Sequence, residues 1–268
     1  MHPLSEKLID RAMESRDPTL AEEALREFDA RLKSTEAGRE RSNLLFRKAV
    51  LYGALKRFDD ARKEMNIALQ EAPDDWFTQM QFDFISGDLD DDEGKPKEAF
   101  DHLTEALAKH GNVLHDPELR VIYESTQTRR GSNLIRLGRF QEAVPILEEV
   151  LSFDLSAPNR AIVLAKLGRC YTASGEWEKV REFLEEACAI GLTGEWAAQS
   201  HYSLGIAYAY LKLLQESRRE FQVCEDNSAE YSTYGLSIVK VYDWLFRVCR
   251  HLGDKSASEH YARLARPI

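Results

Sequence analysis

Three aspartates, Asp88, Asp90 and Asp92, alternate ahead of Gly94 in the run DLDDDEGKPK. Alternating carboxylates before a glycine open a calcium loop, because a hard cation takes several oxygen ligands and the glycine makes the sharp turn. The spacing fails twice: the glycine stands one place late, and the twelfth residue counted from Asp88 is Ala99 where a bidentate glutamate is needed. The run therefore reads as a solvated acidic loop, as charge runs generally do, with a weak cation contact as the alternative. The histidines, His2, His102, His110, His115, His201, His251 and His260, form no H-x-x-x-H pair around a carboxylate, so zinc chemistry has no frame. Glu148-Glu149 and Glu185-Glu186 are neighbours along the chain, not opposed carboxylates. No G-x-S-x-G, Walker loop or G-x-G-x-x-G occurs, so nucleophile elbows and phosphate cradles have no signal. Cys170, Cys188, Cys224 and Cys249 are widely spaced within helical patterns and read as buried thiols. The expectation is a protein that is not an enzyme and has no cofactor and no metal site.

Composition narrows the class of object. The 268 residues are 43% apolar and 31% charged, with 8 Pro and 14 Gly. That is enough to bury a core, with the high charge of a fold that exposes much surface. A net charge of −10 opposes non-specific nucleic-acid binding, which depends on neutralising phosphates, and opposes a general affinity for acidic membranes. The N-terminus MHPLSEKLIDRAMESRD is charged throughout and lacks the apolar run of a signal peptide. No stretch approaches the roughly 20 apolar residues of a membrane span. A cytoplasmic location is expected.

The elements that must position any site are helices. In AIVLAKLGRCYTASGEWEKVREFLEEACAIG, residues 161–191, Leu164, Leu167, Gly168 and Tyr171 share one helical face, and Val180, Phe183, Leu184 and Ala187 share another. Gly168 inside a helix costs about 1 kcal/mol against Ala, so it needs a reason, and close approach of the second helix supplies one. These residues resemble the tetratricopeptide repeat (TPR) family, whose pattern runs large-x2-Leu-Gly-x2-Tyr, then Ala-x3-Phe, then Pro. Here Val180 replaces the usual Ala and no Pro closes the unit. A stronger match has Leu45, Ala49 and Tyr52 before the turn, Ala61, Met65 and Ala68 after it, and Pro73 at the end, with Phe58 packing over the junction.

Further pairs follow. Trp76, Phe77, Met80, Phe84 and Gly87 precede Ala99, Leu103 and Ala106, with the acidic loop between them. A long helix over 117–137, started by Asp116-Pro117, precedes Ala143, Leu147 and Val150. Leu204, Gly205 and Tyr208 precede Phe221 and Cys224. A long aromatic helix from about 228 to 252 precedes Ala257, Tyr261 and Leu264. Helices at 4–15 (with Leu8 and Ala12) and 18–33, broken at Asp17-Pro18, read as a cap. Ala61, Ala99, Ala143, Val180, Ser217 and Ala257 are separated by 38, 44, 37, 37 and 40 residues, longer than the family's period of about 34.

The expected fold is all-α, a right-handed superhelical solenoid of antiparallel helix pairs forming one domain over 1–268. Residues 1–38 are the N-terminal capping pair, and 39–268 hold about six helix-turn-helix repeats.

The resemblance implies that the first helix of each pair lines a concave groove. Positions three and two before the small residue, and one and four or five after it, would then face a partner. They include Phe46 and Phe84 towards the N-terminus, Arg129, Arg136, Lys166 and Arg169 in the middle, and Tyr202, Tyr210, Tyr242 and Phe246 towards the C-terminus, with the register of the last helix open by one residue. Guanidinium groups hold carboxylates bidentately, and aromatic rings supply rigid contact area. The partner implied is a peptide or helix of another protein with acidic residues, and neither nucleic acid nor membrane. The chaperone-tail clamp of some family members is not implied, since Phe46 and Val50 stand where its Lys and Asn belong. The alternatives are a ligand- or peptide-sensing regulator and a homodimer through the C-terminal helices, where Tyr231, Tyr234, Tyr242, Trp244 and Phe246 cluster.

Overall fold

The computed structural model describes residues 11–12, 18–111 and 119–265. The expected helix at 4–15 apart from Arg11 and Ala12, the Asp17 side of its break, and the Asp116-Pro117 start lie outside the described residues, as do His2 and His115. Contacts divide the chain into two compact units, Met1–Leu137 and Gly138–Ile268. The first holds α1 (Pro18–Ser34), α2 (Arg39–Ala54), α3 (Phe58–Glu71), α4 (Trp76–Asp92), α5 (Pro96–His110) and α6 (Arg120–Arg136). The second holds α7 (Phe140–Leu151), α8 (Ala157–Ser174), α9 (Trp177–Ile190), α10 (Gly194–Tyr210), α11 (Leu214–Asp226), α12 (Ser228–Thr233), α13 (Ile238–His251) and α14 (Lys255–Leu264). The architecture is all-α, and successive helices pack antiparallel in pairs. In the first unit α2 packs on α3 and α4 on α5; in the second, α8 packs on α9, α10 on α11 and α13 on α14.

Small residues set how closely the paired helices approach. A Cβ added at Gly87 would lie 2.6 Å from the Leu103 side chain, at Gly168 2.2 Å from Leu184, and at Gly205 2.8 Å from Phe221. Each glycine thus admits a large residue sixteen positions later, on the second helix of its own pair. Leu103, Leu184 and Phe221 are all fully buried there.

The hairpin turns repeat as well. A residue in the left-handed region follows α2, α4, α6, α8, α10 and α13 in turn: Lys56, Gly94, Gly138, Gly175, Lys212 and Gly253. In the pairs of α2, α8, α10 and α13 the next amide reaches back to close the helix, as in Arg57 N–H to the Tyr52 carbonyl (2.8 Å) and Glu176 N–H to the Tyr171 carbonyl (3.1 Å).

Two expectations change. The aspartates of DLDDDEGKPK are not a loop: Asp88 to Asp92 form the last turn of α4, and only Glu93-Gly94-Lys95 turns. Carboxylates at a helix C-terminus oppose its dipole, so this turn depends on cations from neighbouring helices. Arg62 of α3 contacts Asp90, while Arg129 and Arg136 of α6 contact Asp91. The aromatic helix at 228–252 is two helices, interrupted by Tyr234–Ser237, where Gly235 has φ +82. Continuing one helix through that residue would require a right-handed backbone it does not have.

Apolar clusters fill each unit. In the first, Leu32, Leu45, Phe46, Ala49, Ala61, Met65, Ala68 and Leu89 pack together, with Phe58 partly buried against them. Ala12, Ala24, Phe28 and Leu51 form a second cluster, and Met80, Phe84, Leu103 and Ala106 a third. Phe46 and Phe84, expected on a partner-facing surface, are therefore core residues, buried to 1% and 6% exposure.

In the second unit, tyrosines link neighbouring pairs. Tyr171 Oη donates to Glu148 (2.8 Å), Tyr208 Oη to Glu185 (2.7 Å) and Tyr261 Oη to Glu225 (2.8 Å). Each ties a helix of one pair to the second helix of the pair before.

Two substitutions test these constraints in opposite directions. Gly168→Ala should destabilise the protein by about 1–3 kcal/mol through overpacking. Lys56→Gly, which relieves a left-handed non-glycine residue, should stabilise by about 0.5–1 kcal/mol. Urea melts of the three proteins would show both, and a neutral Gly168→Ala would refute the close-approach account.

Candidate partner-binding surfaces

In the first unit, the carboxylates of the last turn of α4 meet the guanidinium groups of α6. Arg129 Nε lies 3.1 Å from Asp88, and its Nη1 lies 3.2 Å from Asp91 and 3.7 Å from Asp92. Arg136 Nη1 contacts Asp91 and approaches Asn133 Oδ1 at 3.3 Å. Both arginines read from the sequence as partner contacts are thus engaged by the chain's own carboxylates. Arg136 remains exposed and Arg129 half-buried. The aspartates come from one helical turn and the arginines from positions about two turns apart on α6, a pairing invisible until α4 and α6 are laid side by side.

The same turn also faces the outer side of this unit. Asp90 accepts from Arg62 (3.0 Å) and is 2.6 Å from His102 Nδ1. Asp83, one turn earlier than Gly87, holds Lys109 (2.8 Å) and His110 (2.7 Å). A cavity of about 400 Å³ lies here, over Met65, Phe82 and Ala106. Arg62, Asp83, Asp90, His102 and Lys109 on its rim are paired with one another, while Glu105 stands exposed beside them. Among the described residues, no group of three His, Cys, Asp or Glu side chains could hold a metal ion.

In the second unit, Lys166 of α8 is buried to 6% exposure, with Nζ 4.2 Å from the Trp196 ring of α10. Arg169, half-buried one turn along, donates to Gln199 Oε1 at 3.4 Å, and Gln199 itself donates to Glu195 (2.6 Å). The two cations therefore point from α8 towards the N-terminal half of α10. The aromatic residues occupy the other end. Tyr210 is 55% exposed and stacks on Trp177, with centroids 4.4 Å apart and planes at 3°. Trp244 approaches Tyr210 edge-on at 6.2 Å and stacks on Phe221 at 5.8 Å. Tyr202 packs edge-on against Phe221 at 5.9 Å, and Tyr242 stacks on Tyr261 at 6.0 Å. Phe246 packs partly buried against the core of this unit.

The register of the last helix becomes readable from its turn. Gly168 stands seven residues before Gly175 and Gly205 seven before Lys212, so Phe246 holds the equivalent place before Gly253. The register thus shifts by one residue, and Trp244 and Arg247 stand two before and one after the small position, the second being the place expected of Phe246. Trp177, Trp196 and Gln199 were also missed. The signal for Trp177 was its place beside the turn, and the others lie on faces that only the packing of α8 against α10 brings together.

No thiol here is poised for chemistry. Burial pushes Cys170 up to about 11 and both Cys188 and Cys224 up to about 12, so the thiolate is scarce. Among the described residues, the one carboxyl displaced towards neutrality is Asp88, raised to about 6. Burial is the main cause; Arg129 opposes it, and Asp92 and Asp91 add to it.

The sign of the consequence is definite. The unfolded carboxyl titrates near 3.8, so the folded chain holds this proton at higher pH. Its stabilising contribution is full below pH ~4 and is lost as pH rises through about 6. Asp88→Asn cannot ionise, so its stability relative to wild type should grow between about pH 4.5 and about pH 7.5. Thermal melts at the two pH values check this, and an equal offset at both would contradict it.

Residues 123–193 match the family model described as tetratricopeptide repeat, a segment that contains the stretch 161–191. No curated protein sequence matches the chain. Among solved structures, the chain is similar to PilF of Pseudomonas aeruginosa, with 15% identity, 83% of this chain and 89% of that chain covered, and a TM-score of 0.60. It is similar to the apo form of RapI, with 15% identity, 98% and 76% covered and a TM-score of 0.71. MamA (residues 41 to the end) of Desulfovibrio magneticus RS-1 gives 23% identity, 69% and 92% covered and a TM-score of 0.53. At such identities the likeness is one of fold. No described helix is long and apolar enough to cross a membrane. The paired helices, the glycine contacts and the matched segment together give this chain a TPR-like helical-repeat fold, with the tetratricopeptide repeat itself matched over residues 123–193.

Proposed function

We propose that this protein is a binding scaffold that holds an extended or helical segment of a partner protein against the first helices of its pairs. One observation carries the reading: Tyr210, a large aromatic residue held face to face on Trp177, remains 55% exposed. Folding leaves that surface open although buried aromatic area is strongly favourable, and rigid aromatic area is what protein interfaces use as anchors. The buried, high-pKa thiols and the absence of a metal cluster among the described residues supply no competing chemistry.

The contact residues proposed are Arg129, Arg136, Lys166, Arg169, Tyr202, Tyr210, Tyr242 and Phe246, with unequal roles. Arg169 and Tyr210 meet a partner directly. Arg129 and Arg136 exchange Asp88 and Asp91 for carboxylates of the partner, which must then supply the charge balance that these partly buried pairs give to the end of α4. Lys166 acts through Trp196, whose position its ammonium group holds. Tyr202, Tyr242 and Phe246 brace the aromatic end through Phe221, Tyr261 and the adjoining core.

Arg129→Glu and Arg169→Glu together should reduce capture of the partner from a native lysate by about tenfold or more, in a protein that circular dichroism shows to be folded at the capture temperature but that melts earlier, because Arg129 also holds the last turn of α4. Capture at the wild-type level by this folded double variant would overturn the proposal.

A further inference from the structure

At the aromatic end of the second unit, a cavity of about 270 Å³ opens beside the turn between α10 and α11. Tyr210, Leu214, Trp244 and Val248 supply its apolar walls, while Lys212, Arg247 and His251 stand on its rim. The three rim side chains are exposed. Lys212 is in the left-handed region (φ 65), which fixes where its side chain leaves the turn. Among the described residues, the Lys212 and His251 side chains have no hydrogen bond or ion pair within the chain. Arg247 lies 5.4 Å from the Trp244 ring centroid and pairs with Asp243 at 2.7 Å. That pair is exposed on both sides, at 56% and 45%, so an incoming carboxylate can take the place of Asp243 at small cost.

Local charge and overall charge disagree here, and the disagreement is informative. A chain of net charge −10 places basic side chains and no carboxylate on the rim of this cavity. The chain's overall charge opposes a polyanionic nucleic acid or an acidic membrane, both of which need extended basic surface. The cavity is also smaller than the roughly 300–1,000 Å³ of small-molecule sites, so it suits one side chain and its neighbour rather than a nucleotide. Tyr210 and Trp244 present ring surface that a second ring can meet in a stacked or edge-on arrangement.

We propose that this cavity is a subsite for a partner peptide carrying an aromatic residue next to an acidic one. The aromatic ring sits in the cavity against Tyr210 and Trp244, which already meet edge-on at 6.2 Å, and the carboxylate rests on Lys212 and Arg247. The inference rests on the scaffold reading and adds to it the chemical class of the segment held and the place where it docks. Residues Leu214 and Val248 line the apolar side of the ring, and the solvated rim sets the order of residues along the peptide.

The test uses the whole chain, labelled with nitrogen-15, and the blocked octapeptide Ser-Gly-Ser-Phe-Glu-Ser-Gly-Ser. The expected result is binding with Kd of about 1 mM or tighter, shifting the indole N–H signals of Trp244 and Trp177 while those of Trp76 and Trp196 stay in place. Replacing the peptide's Phe by Ala, or its Glu by Gln, should each weaken binding about tenfold. So should Lys212→Asn with Arg247→Gln in the protein, where asparagine tolerates the left-handed backbone. Absence of binding at peptide concentrations of about 10 mM, equal shifts at all four indoles, or unchanged affinity in the double variant would each overturn the proposal. A change in the light-scattering mass of that double variant without peptide would also overturn it, by showing that a second copy of the chain covers the cavity. The scaffold reading falls separately. Peptide binding with partner capture unaffected by Arg129→Glu and Arg169→Glu removes the groove but not the subsite, and the reverse outcome removes only the subsite.

Discussion

Helix pairs in this protein depend on one steric constraint, the closeness with which the second helix of a pair lies on the first. At Gly168 the missing side chain is filled by Leu184, and an added Cβ would be only 2.2 Å from it. The same exchange occurs at Gly87 with Leu103 and at Gly205 with Phe221. A glycine inside a helix sacrifices about 1 kcal/mol of intrinsic propensity, but it lets a large side chain reach full burial, worth about 1.5–3 kcal/mol. The packing term wins, which is why these glycines sit in mid-helix and not only in turns. The left-handed residue seven positions later then reverses the chain, so the small contact and the turn are set at a fixed distance from one another.

Charge does two jobs in this protein. At the end of α4, four aspartates on one turn would repel each other and oppose the helix dipole. Arg62, Arg129 and Arg136 approach from neighbouring helices and allow the turn to form. These cations are therefore structural as well as candidates for partner contact, and at Asp88 burial raises the carboxyl pKa against the opposing pull of Arg129. In the second unit, as at Lys48 and Arg57 over Tyr52 in the first, cations also lie beside aromatic rings. Lys166 lies over Trp196, Lys179 over Tyr171 and Arg247 over Trp244. Such contacts leave the charge partly accessible while holding the ring in place, a suitable arrangement for a surface that receives another chain.

The candidate surface was only partly legible in the sequence. Arg169 and Tyr210 could be found by counting from the small residue of each first helix, because that offset is a property of helical geometry. Phe46 and Phe84 satisfied the same count but are buried, since the count defines a direction and says nothing of what an adjacent helix covers. At the last pair the count had no glycine to start from. Phe246 fills the small position, and the register became clear only from Gly253, bringing Trp244 and Arg247 into view.

Residue types and periodicity alone determined the all-α class, the helix pairs, the glycine-to-large contacts and the resemblance to the TPR family. These are local properties: a face repeats every three or four residues, and a turn needs a left-handed residue, whatever lies elsewhere. Tertiary structure decided what depends on residues far apart in the chain. It turned the acidic run into the end of a helix by supplying Arg129 and Arg136, and it broke the aromatic segment at Gly235. It also assembled the cavity beside Tyr210 from α10, α11 and α13. The physical reason is that the energy of a charge or an exposed ring is set by its neighbours in space, and sequence spacing specifies those neighbours only within a single helix.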